Sequence, residues 1–518
     1  MALALRLLLA FLVIGSCIAA DNIDLWPMPQ SVSHGTQKLY IKKDITMSMV
    51  GSTYSDEKSI LKDAFQRMVD LITLNHVVDG INPSSSVLTC VNIVVHTPED
   101  ELSFGADESY NLTVPTTGDP LYAQIEAQTV FGALQALQTF GQLCYFDFTS
   151  RLIELNSAPW IITDRPRFPY RGLLIDTARH YLPVKIIKGV IDAMAYSKLN
   201  VLHWHIVDEQ SFPIEIPSYP KLWNGSYSYS ERYTMSDAID IVRYAEKRGV
   251  NVLAEIDVPG HARSWGVGYP SLWPSESCRE PLDVSKNFTF EVIDGILSGD
   301  FSKIFKFKFV HLGGDEVNTN AYRDFVLRSQ KIAISHGYDI INWYPLFDNF
   351  ARFQEETFNS FGDKLDPKTV VHNWYLLTFY LIYDMGKLTV SNFAHKLIGL
   401  EDVAPKVVAA GHRCIVSNQD KWYLDHLDAS WEGFYMNEPL KGINDTKQQQ
   451  LVIGGEVCMW GEEIDASDIQ QTIWPRAAAA AEAEFTSNLV IYGSMKFVCH
   501  SQILICHAKE CMVALPSV

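Results

Sequence analysis

A chain of 518 residues is too long for one ordinary hydrophobic core, so two domains are expected. Its composition, 47% apolar and 20% charged, is that of a soluble globular protein. A net charge of −19 argues against nucleic acid as a partner, because phosphate recognition needs clustered Lys and Arg, whereas a neutral sugar is compatible with it.

The chain opens with a basic stretch ending at Arg6, an apolar run from Leu7 to Gly15 and small residues up to Ala20. That order predicts a signal peptide over 1–20, cleaved after Ala19 or Ala20. The apolar run is shorter than the ~20 residues of a membrane span, so no stable membrane span is expected. Four sequons, at Asn111, Asn224, Asn287 and Asn444, point the same way, while Asn82-Pro-Ser is excluded by its proline. Together they predict a secretory route, ending in a vacuole- or lysosome-like compartment or outside the cell. Eight cysteines remain once Cys17 leaves with the signal, and in an oxidising compartment Cys90 and Cys144 are a plausible pair. Scattered single cysteines, and Cys499, Cys506 and Cys511 without Cys-x-x-Cys spacing, do not read as zinc ligands.

Residues 21–164 carry short alternating runs, such as 91–96 and 110–114, and an amphipathic helical pattern over 127–143, which together predict a small α/β domain. Asp164-Arg-Pro-Arg-Phe-Pro169 marks a boundary. A rhythm follows over 165–482, with apolar runs near 173–176, 201–208, 252–257, 309–312, 340–343, 370–374, 414–417 and 451–457. Helical patterns such as 185–199 and 235–249 separate several of them, the latter closing on Gly249 where a C′ glycine belongs. Eight strands alternating with helices predict an α/β fold, a parallel (β/α)8 TIM barrel behind the small domain. In such a barrel the site lies at the C-terminal strand ends, where polar residues recur here.

The densest chemistry is Lys306-Phe-Lys-Phe-Val-His-Leu-Gly-Gly-Asp315-Glu316-Val317. Adjacent strand residues face opposite sides, so both acids serve one pocket only if the backbone turns, which Gly313 and Gly314 permit. With this His-x-Gly-Gly-Asp-Glu the chain resembles the β-N-acetylhexosaminidases of glycoside hydrolase family 20, over residues 22 to about 482 and close to plant members. The resemblance implies exo-hydrolysis of terminal β-linked N-acetylhexosamine by a retaining, substrate-assisted mechanism, with a glycan as partner, no metal or organic cofactor, and often a homodimer. It assigns Glu316 as acid/base and Asp315 as the residue that orients the substrate's acetamide. Arg179, in Thr177-Ala-Arg-His-Tyr-Leu-Pro183, would take sugar hydroxyls, and Asp208 would orient His261. Three tryptophans at strand ends, Trp343, Trp374 and Trp460, fit apolar walls around an acetyl methyl and a pyranose face. By resemblance Tyr423 would bond the acetamido carbonyl, and Asp425 and Glu462 would take hydroxyls.

Two other readings stand beside this one. His203 and His205 face one side of a strand, as in barrel metallohydrolases, but the later strand ends show no further ligand set beyond a loose candidate, His372. A non-catalytic sugar-binding relic is suggested by departures from the family. A loop is missing after Asn320, leaving Cys278 without its family partner. Segments 344–354 and 375–397 look inserted directly after Trp343 and Trp374. Residues 483–518 diverge, so the eighth strand is expected to lack its covering helix.

Overall fold

The computed structural model describes residues 23–73, 76–83, 85–315, 317, 319–343, 365–374 and 403–486. The signal segment, both inserted segments, Glu316, and Cys499, Cys506 and Cys511 lie outside the described residues.

The N-terminal domain is built on strands β1 (Ser31–Ser48), β2 (Val87–Val95), β3 (Tyr110–Val114), β4 (Tyr122–Ala127), β5 (Cys144–Asp147) and β6 (Leu152–Asp164). They form one sheet in the order β1-β2-β4-β3-β6-β5, and the long β1 also pairs antiparallel with β6. Helices α1 (Ile60–Ile72) and α2 (Val130–Gln142) cover it. In α1 the buried Leu61, Ala64, Phe65 and Met68 recur at the three- and four-residue spacing of a single helix face. Thr129 caps α2 by accepting from the amides of Phe131 and Gly132.

The expected Cys90–Cys144 pairing is not found; both thiols are free. Cys90 lies beside Thr46 of β1, whereas Cys144 lies beside Leu155, itself paired with Leu39. Positions 39 and 46 are roughly 20 Å apart along a strand, far beyond the ~4–7 Å Cα separation of a disulfide. Cys278 is free and exposed, as expected.

The second domain is a closed parallel barrel of β7 (Tyr170–Asp176), β8 (Val201–Val207), β9 (Asn251–Ile256), β10 (Phe309–His311), β11 (Asp339–Trp343), β12 (Val370–Asn373), β13 (Arg413–Val416) and β14 (Val452–Met459), with β14 paired back to β7. All eight predicted strands are present. Around it run α3 (Val184–Tyr196), α4 (Met235–Glu246), α5 (Thr319–Ser335), α6 (Val403–Ala409) and α7 (Arg476–Phe485). Thr234 and Asp237 close a reciprocal capping box on α4, and Gly249 takes φ +73° just past its end.

Because strand side chains alternate, inward positions recur every second residue. One residue from each strand, Tyr170, Val201, Leu253, Phe309, Ile341, Val370, Ile415 and Ile453, forms an apolar layer. Two residues further along, His203, Glu255, His311, Trp343 and His372 form a second, largely polar layer above it.

The eighth strand is covered, contrary to expectation. Helix α7 packs against β14 and β7 with its whole length buried, and runs past Glu482 to Phe485. Its end joins a seam between the domains, where Arg171 and Lys198 of the barrel meet Glu108 (2.6 Å) and Asp164 (3.1 Å). Both cations lie over the Phe485 ring. The chain's beginning is tied to the same helix: the Trp26 indole donates to Ala478 O (2.9 Å), and the Met28 amide to the Glu482 carboxyl (2.8 Å).

Candidate active site

At the end of β10 the backbone turns as its glycines allow, with Gly313 at φ +61° and Gly314 at φ +102°. Position 313 also needs a glycine for space, since a Cβ there would stand 1.7 Å from the Asp257 carboxyl. Gly314 N donates to Asp257 Oδ1 at 2.9 Å. The turn delivers Asp315 to the barrel mouth, where Asp257, His261 and Asp315 bring ligand-type atoms within 4.8 Å of one another. Burial, and then the charge of Asp315, push the Asp257 carboxyl well above the usual range. The protonated form of Asp257 is thus favoured beside Asp315.

Beside these acids lies an apolar cage. Leu174, Trp343, Trp374, Tyr423 and Cys458 form one cluster, with Trp460 packed against it. The rings of Trp343 and Trp460 are 5.8 Å apart, and those of Tyr423 and Trp460 6.2 Å. Trp343, Trp374 and Trp460, which lie at strand ends, thus gather with Tyr423 in one cluster.

A charged wall faces the cage. Arg179 sits over the Trp460 ring (5.3 Å) and reaches Asp176 (3.0 Å), Asp208 (2.9 Å) and Glu462 (3.7 Å). Asp208 Oδ1 lies 3.3 Å from His261 Nδ1, so the predicted pair is formed. His261 itself adopts φ +52°, a left-handed conformation that an ordinary side chain holds only where its surroundings impose it. Asp425, on the rim near Glu462, is pushed up to about 6, chiefly by burial.

Below the mouth, charge continues into the barrel. Glu255 Oε2 stands 2.6 Å from His205 Nδ1 and 3.1 Å from His203 Nε2, and its Oε1 2.8 Å from His311 Nδ1 and 2.7 Å from the Trp343 indole. His203 Nδ1 is 2.8 Å from Glu456, which also accepts from Tyr170 (2.5 Å). His205 Nε2 bonds Asp208 at 2.8 Å. The reading of His203 and His205 as lacking ligand-type partners is thus corrected, for His311, His372, Glu255 and Glu456 surround them inside the barrel. Burial would lower both imidazoles, but Glu456 and Glu255 raise His203 to about 9, and Glu255 and Asp208 raise His205 well above its ordinary value. Burial instead lowers His311, and lowers His372 well below its ordinary value, so only His203 and His205, as imidazoliums, lack a lone pair for a metal. His203 and His205 form ion pairs with Glu255, Glu456 and Asp208, and His311 and His372 stand beside them as imidazoles whose neutral form burial favours.

Asp176 and Asp257 are site residues that sequence reading missed. The available signal was an acid at the C-terminal end of a barrel strand. The four sequon residues Asn111, Asn224, Asn287 and Asn444 are all exposed and far apart along the chain.

This constellation of acids beside an aromatic cage at a barrel mouth is that of an enzyme acting on a sugar, and comparison with known proteins gives the class. The model of the glycosyl hydrolase family 20 catalytic domain matches residues 168–488, and that of a β-acetyl hexosaminidase-like domain matches 25–143. The chain is 56% identical over 503 residues to beta-hexosaminidase 3 of Arabidopsis thaliana, covering 92% of this chain and 87% of that one. It is 34% identical over 494 residues to human beta-hexosaminidase subunit beta, covering 90% and 83%. Among solved structures, the Streptomyces plicatus N-acetyl-beta-hexosaminidase in complex with Thio-NAglucal shares the fold, with a TM-score of 0.72 at 21% identity over 95% of this chain and 96% of that one. The chain belongs to glycoside hydrolase family 20, the family of the β-hexosaminidases, and is a glycoside hydrolase.

Proposed function

We infer that the chain is an exo-acting β-N-acetylhexosaminidase, removing terminal non-reducing GlcNAc or GalNAc from N-glycans or chito-oligosaccharides. The observation that carries this reading is the cage of Trp343, Trp374, Trp460 and Tyr423 set directly beside Asp315. Such a cage suits an acetyl methyl and a pyranose face. An acetamide seated there presents its oxygen to the anomeric carbon of its own sugar, so the substrate supplies the nucleophile and a cyclic oxazolinium forms. Asp315 holds the acetamido N–H and offsets the positive charge that develops there. Burial and the charge of Asp315 favour the protonated form of the neighbouring Asp257, which limits a second negative charge there. Glu316, placed here by sequence alone, protonates the leaving oxygen and then deprotonates the incoming water. Arg179 and Glu462 take hydroxyls at the charged wall, Asp425 takes another at the rim, and Tyr423 bonds the acetamido carbonyl. Asp208 holds both Arg179 and His261 in place.

A secretory route follows from the predicted signal peptide and from four exposed sequons, Asn111, Asn224, Asn287 and Asn444, which would carry glycans. A homodimer belongs to the same reading, with light scattering as its check.

The test is release of a chromogenic leaving group from an N-acetylglucosaminide and from the matching glucosaminide at acidic pH. The first should be cleaved and the second left intact, since it lacks the acetamido oxygen. Equal cleavage would overturn substrate assistance. Binding of a thiazoline analogue without turnover of either substrate would mark a sugar-binding relic, the reading favoured by the inserted segments after Trp343 and Trp374.

A further inference from the structure

We propose that Glu255 is the positioning residue of this site: one buried carboxylate sets both the Trp343 indole in the acetamide cage and, through His205 and Asp208, the Arg179 guanidinium at the sugar hydroxyls. The proposal rests on the preceding reading of Trp343 and Arg179 as sugar-binding groups. It stands on the geometry of four contacts. Oε1 faces Trp343 Nε1 at 2.7 Å and His311 Nδ1 at 2.8 Å; Oε2 faces His205 Nδ1 at 2.6 Å and His203 Nε2 at 3.1 Å.

Trp343 Nε1 and His205 Nδ1 hydrogen-bond one oxygen each, and His311 and His203 stand at ion-pair distance from the same two oxygens, so the carboxylate cannot turn without breaking at least one contact. The indole N–H is the only donor by which Trp343 fixes its ring orientation, and His372 stacks on that ring at 4.1 Å. From the other oxygen the line runs through His205 to Asp208 (2.8 Å) and on to Arg179 (2.9 Å). A third branch, His311, lies on the strand that turns into Asp315. A shift of Glu255 therefore reaches the cage, the hydroxyl-binding wall and the strand carrying the orienting acid together. None of these links brings Glu255 to the substrate, so it acts through the groups it holds.

Burial alone would raise the Glu255 carboxyl, but His311, His205 and His203 outweigh it and hold it well below the usual range. The anion is what makes its hydrogen bonds to the Trp343 indole and to His205 charge-assisted and short. Glutamine at this place keeps the shape but turns an amide NH2 toward one pair of donors, leaving a donor facing a donor.

The experiment follows the Trp343 indole N–H in 15N spectra, assigned by its loss in Trp343→Phe, together with kinetics and thiazoline binding. In the unaltered protein that resonance should lie downfield and be protected from exchange. Exchange at the rate of an exposed indole would overturn the proposal without any variant. In Glu255→Gln the resonance should move upfield, and kcat/KM and thiazoline affinity should both fall by about 10- to 100-fold. Combining Glu255→Gln with Trp343→Phe should cost less than the sum of the two losses. Additive losses, or unchanged kinetics in a folded Glu255→Gln, would overturn it. Should Glu255→Gln fail to fold, His205→Gln cuts only the branch to Arg179 and should weaken hydroxyl recognition while the Trp343 signal stays downfield; loss of that signal instead would overturn the two-branch arrangement. Absence of any turnover by the unaltered protein would count against the proposed function alone, since the resonance and the binding measurement do not need turnover.

Discussion

The two inward layers of the barrel sit one strand repeat apart and differ in almost every respect. The lower one takes an aliphatic or aromatic residue from each of the eight strands and holds by apolar contact alone. The upper one holds Glu255, three imidazoles and an indole, equally buried, with the His203 imidazolium set between Glu255 and the neighbouring Glu456. Apolar packing fixes volume but leaves each ring some choice of angle. A hydrogen-bonded ion network fixes angles and demands that every partner be present. The upper layer is the one that reaches the aromatic cage, through Trp343.

The mouth above both layers should show the largest effect. Asp315→Asn should lower kcat by about 10²–10³-fold with a much smaller change in KM, because its charge matters most in the transition state. Steady-state kinetics decide this, and a pure KM effect would reduce Asp315 to ground-state binding.

The layers themselves are separated by a pair of variants. His203→Ala leaves Glu255 and Glu456 short of a counter-charge and should cost about 3–5 kcal/mol. Leu253→Ala in the lower layer leaves a cavity and should cost about 2–5 kcal/mol. Their pH dependence should differ more than their size. His203 is raised from 6.5 to about 9 in the fold, so its contribution is fully present below 6.5 and is lost as pH climbs through 9. Denaturant melts across that range should show the His203→Ala cost shrinking toward alkaline pH and the Leu253→Ala cost staying flat. Parallel curves would erase the distinction between the layers.

A smaller effect is expected at the seam. Burial raises the Glu482 carboxyl from 4.5 to about 8. The folded chain then binds a proton that the unfolded chain releases, so stability falls as pH rises between those values. Thermal melts should give a midpoint a few degrees higher at pH 5 than at pH 8, and Glu482→Gln should narrow the gap. An unchanged gap would remove Glu482 as its cause.

Much of this was legible in the linear chain, for physical reasons. Strands buried on both faces are short continuous apolar runs, so the eight barrel strands could be placed from such runs ending in polar or aromatic residues, with helical patterns between several of them. Gly313 and Gly314 announced their turn because only glycine tolerates those angles cheaply. Part of the cage was visible because Trp343, Trp374 and Trp460 fell at strand ends, whereas Tyr423 came from the family resemblance alone. What could not be read was pairing across the barrel. His203 and His205 displayed a metal-like spacing, and nothing near them in sequence revealed that Glu255 and Glu456 would face them. Cys90 and Cys144 failed for the same reason, since register along β1 decides their separation. Helix α7 was misjudged because divergence at residue 483 was taken for loss of cover, while burial of Phe485 beneath Arg171 and Lys198 depends on partners more than 280 positions away.

The ties from Trp26 and Met28 to the last described helix set an order of events in time. Contacts spanning 452 and 454 positions cannot form until Ala478 and Glu482 have been made. The barrel faces a similar wait, since β7 has no partner on one side until β14 arrives. A ribosome adds ~5–20 residues per second. For tens of seconds the nascent chain therefore carries an open-edged sheet and an unseated Trp26, surfaces that chaperones and misassembly both recognise. Yield of this enzyme in a cell should depend on what shields that edge during synthesis as much as on the stability of the finished barrel.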